Sequence, residues 1–475
     1  MNYNAVFIDL LTVCLAVALV IIGLVLPRER RKAIGFIAIP SLVVILIVSF
    51  FLQGNEGITF FNGLYVSDAL STYLKQIFLV GAILVSILSL TEVDRFKDNK
   101  GEFFALIVFA LSGMMILASS NDFITLYIGL ELMTIAMIIM TSYQKQNIKS
   151  SEAGMKYLLL SAISSGVLLY GISLLYGLSG SLNFAEIVKH FETSEVSLGL
   201  VAAVIMILAG FGFKISAVPF HMWSPDVYEG APTAVTAFLA VGSKAAGFAM
   251  ILRVFFQALP TAFQPFITLV VVLACLTMIL GNLVAIPQKN IKRMLAYSSI
   301  SHAGYILLGL VAFTKMGVGS ILFYLLLYIF ANIGAFAAVM AVSGQSDSSE
   351  ISDFAGMWKR SPFITGVLLL SLLSLAGIPP AAGFIGKFFL FRSIIQEGYI
   401  WLAFLAIAMS VVSIYYYINV IRVMLIGEAE SVAEVHVPVH LKLVMILSAA
   451  MTLFMGIYPG PMLEWANNVA SQFIK

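Results

Sequence analysis

Charged side chains are scarce in this sequence of 475 residues: Asp, Glu, Lys and Arg together make up 11% of it. A typical soluble domain carries about 25%. Hydrophobic residues make up 61%, so we interpret the chain as a membrane protein that crosses the bilayer many times. The formal net charge is only +2, and the scattered basic residues argue against a nucleic-acid-binding surface.

Cofactor and metal motifs are missing as well. The two cysteines, Cys14 and Cys275, lie in separate apolar runs and form no Cys-x-x-Cys or iron–sulfur spacing. Gly210 and Gly212 lie in an apolar run with no strand before them, without the complete Gly-x-Gly-x-x-Gly dinucleotide fingerprint. We therefore expect neither a cofactor nor a metal on this chain, and any transport must draw its energy from an ion gradient or from partner subunits.

About fourteen apolar runs are long enough to cross a bilayer as helices of roughly 20 residues. Basic clusters at 28–32 and 289–293 alternate with connections at 53–73 and 257–264 that contain no Lys or Arg, which predicts both termini outside. No basic residue precedes the first run, so we expect a retained helix and no cleaved signal. The four tryptophans lie near predicted helix ends and are expected in the interfacial belt. The runs are 5–26, 34–52, 74–91, 103–118, 122–141, 153–177, 198–218, 231–256, 265–286, 294–313, 318–342, 363–392, 400–425 and 440–458.

Two of these runs contain proline close to a lysine. Pro219 follows Lys214, and the pair Pro379 and Pro380 precedes Lys387. Proline removes a backbone donor and clashes with the preceding helical turn. The freed backbone is tolerated at membrane depth only against protein or a water-filled cavity. We therefore predict two broken helices.

The spacing of ionisable residues predicts an internal repeat. Glu131 and Lys214 lie 83 residues apart, and His302 and Lys387 lie 85 apart. Broken helices at matching places in two halves are typical of inverted-repeat transporters with the site at the breaks. The predicted fold is thus all-α and polytopic, with two inverted repeats. Its predicted parts are three membrane helices in 1–100, a core in 101–425 with repeats at 101–256 and 265–425, and a C-terminal loop with the last membrane helix in 426–475.

Four ionisable residues lie inside apolar runs: Glu131, Lys214, Lys244 and Lys387. A charge at the centre of a membrane helix costs about 2.5–3.5 kcal/mol on insertion scales, and such residues mark ion pathways. Burial disfavours the charged form of a lysine, which lets it exchange a proton more readily. A Glu131–Lys214 pair would make the proton affinity of the lysine depend on whether the pair is closed. The alternative is a static ion pair that only fixes helix packing.

Three further polar residues, His302, Lys156 and His221, allow two interpretations each. His302 lies among serines and a tyrosine that could hold water, so we predict a proton relay there in preference to plain packing. Lys156, near the start of its run, either belongs to the proton path or extends its amine to the inner surface. His221, just after the first break, either passes protons from the inner surface or only packs. Arg253, near the end of its run, is expected to reach the aqueous surface.

Four segments at these positions closely resemble subunit N of bacterial NADH–quinone oxidoreductase, respiratory complex I. The resemblance covers essentially the whole chain. It implies a fourteen-helix, antiporter-like subunit of the membrane arm with two inverted five-helix repeats and one proton-translocating channel. In that subunit Glu131 would pair with Lys214, Lys244 would be the central lysine and Lys387 would lead to the outside. The segments are EAGMKYLLLSAISSGVLLYGISLLYGLSG (152–180), FKISAVPFHMWSPDVYEGAPTAVTAFLA (213–240), IKRMLAYSSISHAGYILLGL (291–310) and LLSLAGIPPAAGFIGKFFLF (372–391).

The resemblance also implies a place and a task. The chain would lie in the bacterial inner membrane with both termini on the periplasmic side, beside other membrane-arm subunits. The flavin, the iron–sulfur clusters and the quinone pocket would belong to other subunits of the complex. Quinone reduction there would drive protons through the buried chain of Glu131, Lys214, Lys244, His302 and Lys387. A subunit of a multi-subunit cation/proton antiporter and a structural spacer that conducts nothing are the alternatives. Whether the quinone is ubiquinone or menaquinone stays open.

Overall fold

A bundle of long apolar helices makes up most of the molecule. The computed structural model describes residues 4–52, 57–96, 100–192, 196–260, 262–346, 348–428 and 434–474. Thirteen helices in these ranges are long and apolar enough to cross a membrane. The predicted span at 363–392 is present as two shorter helices, Pro362–Ala376 and Ala382–Gln396. Together these confirm the predicted count of about fourteen spans.

The helices follow one another with short connections. In the first half they are α1 (Asn4–Val25), α2 (Ala33–Phe51), α3 (Ala69–Glu92), α4 (Lys100–Ala118), α5 (Phe123–Thr141), α6 (Ile148–Ser179), α7 (Phe184–Glu192), α8 (Leu198–Ile215), α9 (Trp223–Gly230), α10 (Thr233–Phe238) and α11 (Lys244–Arg253). In the second half they are α12 (Ile267–Ala285), α13 (Ile291–Ala312), α14 (Lys315–Ser346), α15 (Met357–Arg360), α16 (Pro362–Ala376), α17 (Ala382–Gln396), α18 (Ile400–Ile426), α19 (Val439–Ile457) and α20 (Gly460–Phe473). A small antiparallel hairpin, β1 (Ile58–Phe60) and β2 (Tyr65–Ser67), precedes α3.

Side-chain caps set the beginnings of several helices. The Asp68 carboxylate accepts from the backbone N–H of Ser71 at the start of α3, and Asp122 accepts from Ile124 and Thr125 at the start of α5. Asn290 caps α13 in the same way. Each cap satisfies a backbone donor that has no partner within the helix. These polar residues therefore determine where the apolar runs become membrane helices.

The centre of the bundle is formed by two wholly buried membrane segments. One is α14, and the other is the continuous helix Thr233–Ala258, which contains α10 and α11 joined through a π-helical turn at Leu239–Ser243. α13 is almost as deeply buried, whereas α1, α2, α18 and α19 lie at the rim. Lys244 and His302 thus lie on central helices.

Both predicted breaks are present. α8 ends at Ile215, Ser216 adopts a left-handed conformation with φ of 60°, and the helix resumes as α9 at Trp223. α16 ends at Ala376, Gly377 adopts φ of 82°, and the helix resumes as α17 at Ala382. Each break lies beside a buried lysine, Lys214 at the first and Lys387 at the second.

Arg253 contradicts the expectation from the sequence. Its side chain has 0% exposure and does not reach the aqueous surface. The guanidinium donates two hydrogen bonds of 2.6 Å to the carboxylate of Asp68 and one of 2.8 Å to the carbonyl oxygen of Ala118. Burial would raise the pKa of Asp68, but the guanidinium outweighs burial and holds this pKa below its ordinary value. Arg253 therefore joins three membrane segments instead of snorkelling.

Candidate functional site

Lys214 lies in the last turn of α8, directly before the first break. Its side chain is buried, and Nζ donates to Thr134 Oγ1 on α5 at 2.7 Å and to the hydroxyl of Tyr157 on α6 at 3.3 Å. Thr134 in turn donates to the carbonyl oxygen of Leu130 at 2.6 Å. The amine is therefore held by neutral hydroxyl groups from two neighbouring helices.

Glu131 lies one helical turn before Thr134 on α5. Its Oε1 accepts a hydrogen bond of 2.5 Å from the Ser165 hydroxyl on α6. Glu131 and Lys214 are thus brought to adjacent turns but make no direct ion pair among the described residues. The carboxylate is half-buried, on the face of α5 that also exposes Ile128 and Ile135. One side of Glu131 is consequently open to whatever borders this chain.

Trp223 closes the first break. Its indole Nε1 donates to the carbonyl oxygen of Phe213 at 2.9 Å, which satisfies an acceptor at the interrupted helix end. Its ring stacks on Tyr157, with ring centroids 4.7 Å apart and planes inclined by 10°. The side chain is 2% exposed, so the prediction that Trp223 lies in the interfacial belt is wrong. Trp223 instead fixes the ring whose hydroxyl binds Lys214.

Lys244 lies at the middle of the central helix, immediately after the π-helical turn. Such turns are rare and are frequent at functional sites. The Lys244 amine donates to the backbone carbonyl of Ser299 on α13 and has no carboxylate partner in the described part of the chain. The hydroxyl of Tyr328 donates to Ser299 Oγ at 2.9 Å. A fully buried lysine is therefore surrounded by neutral polar groups.

His302 continues this polar line along α13. Its Nδ1 lies 2.6 Å from the Tyr324 hydroxyl on α14, and its Nε2 lies 3.3 Å from the Tyr417 hydroxyl on α18. Tyr417 is also hydrogen-bonded to Ser298 Oγ, one residue before the serine that binds Lys244. Hydroxyl groups thus link the surroundings of Lys244 to those of His302.

Lys387 lies beside the second break. Its amine donates to the carbonyl oxygen of Ala376 at 3.0 Å and to Ser410 Oγ at 2.9 Å, and it lies 4.8 Å from the ring centroid of Tyr305. The Asn282 amide donates to the Tyr305 hydroxyl at 3.1 Å. The Asn282 carbonyl oxygen accepts from Tyr416, the neighbour of Tyr417, also at 3.1 Å. This second line of polar groups leads from α18 to Lys387.

Glycine is required at position 377 for two reasons: the left-handed backbone conformation and the close approach of the Lys387 side chain. A Cβ at this position would lie 2.9 Å from Lys387 Cδ and 3.2 Å from Nζ, and its φ of 82° favours glycine. We expect Gly377→Ala to lower the free energy of unfolding by about 1–2 kcal/mol through the left-handed backbone and to displace Lys387 from Ser410. Thermal inactivation of the protein in mild detergent measures the stability change.

The matched control is Gly366→Ala in α16, the helix that ends just before Gly377, because an added Cβ there meets open space. In a helix interior this exchange is neutral or stabilising. Equal stability of the two variants would contradict the role given to Gly377.

Asp226 on α9 is the centre of an ionic cluster. Asp226 accepts hydrogen bonds of 2.6 Å from both Lys156 and Arg293, and Lys156 also pairs with Glu152 at 2.7 Å. Burial would raise the pKa of Asp226, but these two cations outweigh it and lower the pKa. The side chain of Lys156 is 42% exposed, which places its amine at the surface of the bundle. His221 is buried, its Nδ1 has no partner among the described groups, and burial lowers its pKa.

Several groups at the site were not singled out from the sequence. They are the hydroxyl-bearing residues that hold the ionisable groups: Thr134, Tyr157, Ser165, Tyr324, Tyr328, Ser410 and Tyr417. A tyrosine within an apolar run reads as ordinary packing, so its partner is not visible without the relative rotation of the helices. Among the described residues no cluster of His, Cys, Asp and Glu could hold a metal ion.

The fold and the buried line of ionisable groups define a polytopic helical membrane protein with titratable side chains along its interior. The family described as NADH:quinone oxidoreductase/Mrp antiporter, TM matches residues 120–413. The chain belongs to this family and, within it, to the group of NADH–quinone oxidoreductase subunit N. It is 49% identical to the subunit N of Moorella thermoacetica over 99% of both chains. The resemblance stated from the sequence is therefore confirmed.

Solved structures agree with this assignment. A chain of respiratory complex I from Thermus thermophilus is 30% identical, with a TM-score of 0.82, and the likeness covers 96% of this chain and 98% of that one. A chain of the Mrp complex from Dietzia sp. has a TM-score of 0.89 over 100% of this chain and 98% of that one. Its identity is 18%, so that likeness concerns the fold alone.

Proposed function

We propose that this chain is the proton-translocating subunit N of a bacterial NADH–quinone oxidoreductase, an enzyme complex of the inner membrane. The main supporting observation is that Lys214, Lys244 and Lys387 are buried and hydrogen-bonded to hydroxyl and carbonyl groups. No carboxylate in the described ranges binds any of them directly. A lysine paired to a buried carboxylate stays charged, because neutralising it would leave an unpaired anion. A hydroxyl both donates and accepts, so it binds an amine in either protonation state.

A change in the distance between Glu131 and Lys214 would switch the proton affinity of the lysine. Two opposite unit charges 4 Å apart attract by about 4 kcal/mol at an effective dielectric constant of 20, which corresponds to roughly a thousandfold change in proton affinity. Glu131 now binds Ser165, and Lys214 binds Thr134. If Glu131 turned to Lys214, the lysine would hold its proton, and on separation it would release the proton toward Lys244.

The remaining path runs through the centre and then outward. From Lys244 the proton would pass by Ser299, Tyr417 and His302, and it would leave near Lys387. Lys156 on α6 pairs with Asp226 of α9, and His221 directly precedes α9. We propose that both border a path from the inner side to Lys214. The half-exposed Glu131 supports lateral contact with a neighbouring membrane-arm subunit, and quinone reduction elsewhere in the assembly would act on it from that side. The absence of basic residues at 53–73 and 257–264 supports termini on the periplasmic side.

The domain boundaries are part of the same proposal. Residues 1–100 contain α1, α2 and α3, which precede the conducting core. The core at 101–425 divides into repeats at 101–256 and 265–425, each with one break at 216–222 or 377–381. Residues 426–475 contain α19 and, beyond the predicted elements, the additional helix α20.

Lys214→Ala separates a proton conductor from a spacer. We expect the variant complex to assemble and reduce quinone but to pump fewer protons per electron, because the switch with Glu131 is lost. Proton uptake into inverted membrane vesicles, measured beside NADH–quinone activity, gives both quantities.

The control is Lys189→Ala, which removes an exposed lysine on α7 and is expected to change neither quantity. Unchanged pumping in Lys214→Ala would support a spacer. An antiporter subunit would instead show loss of sodium tolerance with intact NADH–quinone activity on deletion of the chain. The 49% identity to a subunit N, against 18% to the Mrp chain, favours the oxidoreductase.

A further inference from the structure

A cavity of about 1200 Å³ opens on the side of the bundle where the basic connections lie. Its wall includes Lys145 and Lys149, which belong to a connection predicted on the inside, and it reaches inward to Glu92 and Lys292. The sequence places Lys292 in the basic cluster 289–293 and gives it no role beyond orientation. The cavity therefore connects the inner aqueous side to a buried cation that the mechanism above does not use.

Lys292 is buried although it stands in the first turn of α13. It is 6% exposed, and its Nζ donates to the carbonyl oxygen of Ala231 at 2.6 Å. It forms no ion pair within the described part of the chain. An ammonium carries three donors, so two remain for groups or water in the cavity. Lys292 thus shares the environment of the three mechanistic lysines, namely burial with a neutral oxygen partner.

Charged groups surround Lys292 without binding it. Glu92 on α3 is 3% exposed, and its Oε2 accepts from the backbone N–H of Ala234 at 3.3 Å, at the beginning of the central helix. Glu229 and Lys149 are the other charges that act on Lys292. Glu92 is therefore a buried carboxylate close to a buried lysine, and both face one cavity.

Lys292 lies on the same helix, α13, as Ser299, the residue that binds the central lysine Lys244. Seven residues separate it from Ser299, which corresponds to about 10.5 Å along the helix. The Ser299 carbonyl binds Lys244, and Ser299 Oγ lies 3.5 Å from the hydroxyl of Tyr228 on α9. Tyr228 is buried and lies three residues before the Ala231 carbonyl that holds Lys292. The hydroxyls of Tyr228 and Ser299 thus lie near Lys244, on helices that also hold Lys292.

We propose that Lys292, with Glu92 beside it, is the site at which a proton from the inner aqueous phase is loaded onto this chain. The inference rests on the proposed function. The Lys292 ammonium transfers its proton through the hydroxyls of Tyr228 and Ser299 to the Lys244 amine, and the neutral Lys292 amine regains a proton from the cavity. Asp226 is a weaker candidate for this task, because its hydrogen bonds from Lys156 and Arg293 favour the ionised carboxylate.

The test compares Lys292→Met and Lys292→Arg in the intact complex reconstituted into liposomes. Arginine keeps the positive charge but does not deprotonate in proteins. We expect both variants to reduce quinone while protons pumped per electron fall to the level of Lys244→Met. Lys289→Met, an exposed lysine of the same cluster, is expected to pump normally.

The outcomes distinguish this proposal from the function on which it rests. Normal pumping in Lys292→Arg would overturn the loading role, because charge alone would then suffice. Normal pumping in Lys292→Met, with impaired Lys244→Met, would overturn it and leave the proposed function standing. Normal pumping in Lys244→Met as well would mean that the proposed function itself fails.

Accessibility gives a second measurement that does not depend on pumping. In a chain with Cys14→Ser and Cys275→Ser, the Lys292→Cys variant is expected to react with a small charged thiol reagent added to the inner face of the membrane. Ala296→Cys, one turn further along α13 at a fully buried position, is expected to react at least tenfold more slowly. Equal protection of both positions would show that the cavity does not deliver solvent to Lys292 and would overturn the proposal.

Discussion

Lys244→Met is expected to abolish proton translocation through this chain while leaving the complex assembled. Methionine retains the apolar stem in the buried central helix but has no titratable amine. A positioned proton donor or acceptor contributes about 10²–10⁴-fold to a proton-transfer step. The loss should therefore be at least about a hundredfold in the rate through this channel. Proton pumping by reconstituted complex, compared with its quinone reduction, measures it.

Two further variants make the Lys244 result specific. Lys244→Arg keeps the charge but not the exchangeable proton, so it should also fail. Met250→Leu changes the packing of the same buried helix by a swap that usually costs less than about 1.5 kcal/mol, and it should pump normally. Pumping by Lys244→Arg at the normal rate would refute a proton-carrying role for this residue.

Arg253→Met is expected to cause the largest loss of stability. The substitution leaves the Asp68 carboxylate buried without its partner, and breaking a buried pair from one side costs about 3–5 kcal/mol. The pair joins the beginning of α3 to the end of α11, so the loss should be global. The temperature at which detergent-solubilised protein loses its helical circular dichroism measures this change.

A double variant and the pH dependence of stability test the role of the Arg253–Asp68 pair. Adding Asp68→Asn to Arg253→Met removes the unpaired charge and should recover part of the stability. The pKa of Asp68 is lower in the folded chain than the ordinary aspartate pKa of about 3.9. The pair therefore stabilises the folded protein fully above the ordinary pKa, and this stabilisation is lost as the pH falls through the lower pKa of the folded state. Arg422→Met, at an exposed position, should be neutral. A stable Arg253→Met protein at neutral pH would show that the pair is dispensable.

The sequence predicted the membrane-spanning helices well because hydrophobicity is a local property. Each apolar run of sufficient length became a helix, and the prolines at 219 and 379–380 marked both breaks. Lys214, Lys244 and Lys387 were also recognisable, since a charge within an apolar run is conspicuous wherever the helix packs. These features need no knowledge of which helix lies beside which.

Which group a side chain contacts, in contrast, depends on how helices distant in sequence pack together. Lys289 and Lys292 read alike as basic residues of one connection, yet the first is exposed and the second is buried against Ala231. Arg253 is near a helix end and could have reached water, but Asp68 lies 185 residues away in sequence and binds it. Trp223 is likewise drawn inward by Tyr157. Such contacts follow from helix rotation, which hydropathy does not report.

The Trp223 side chain spans the first break, and this contact affects how a movement of α9 would be passed to α8. An unwound turn in a helix would ordinarily bend and absorb a push on one half. Here the Trp223 indole binds the carbonyl oxygen of Phe213 on the far side of the gap and lies flat on the phenol ring of Tyr157. We therefore expect strain applied at Asp226, which binds Lys156 on α6 and Arg293 on α13, to displace the Tyr157 hydroxyl that binds the Lys214 amine. On this view the interruption would act as a rigid coupling and not as a hinge.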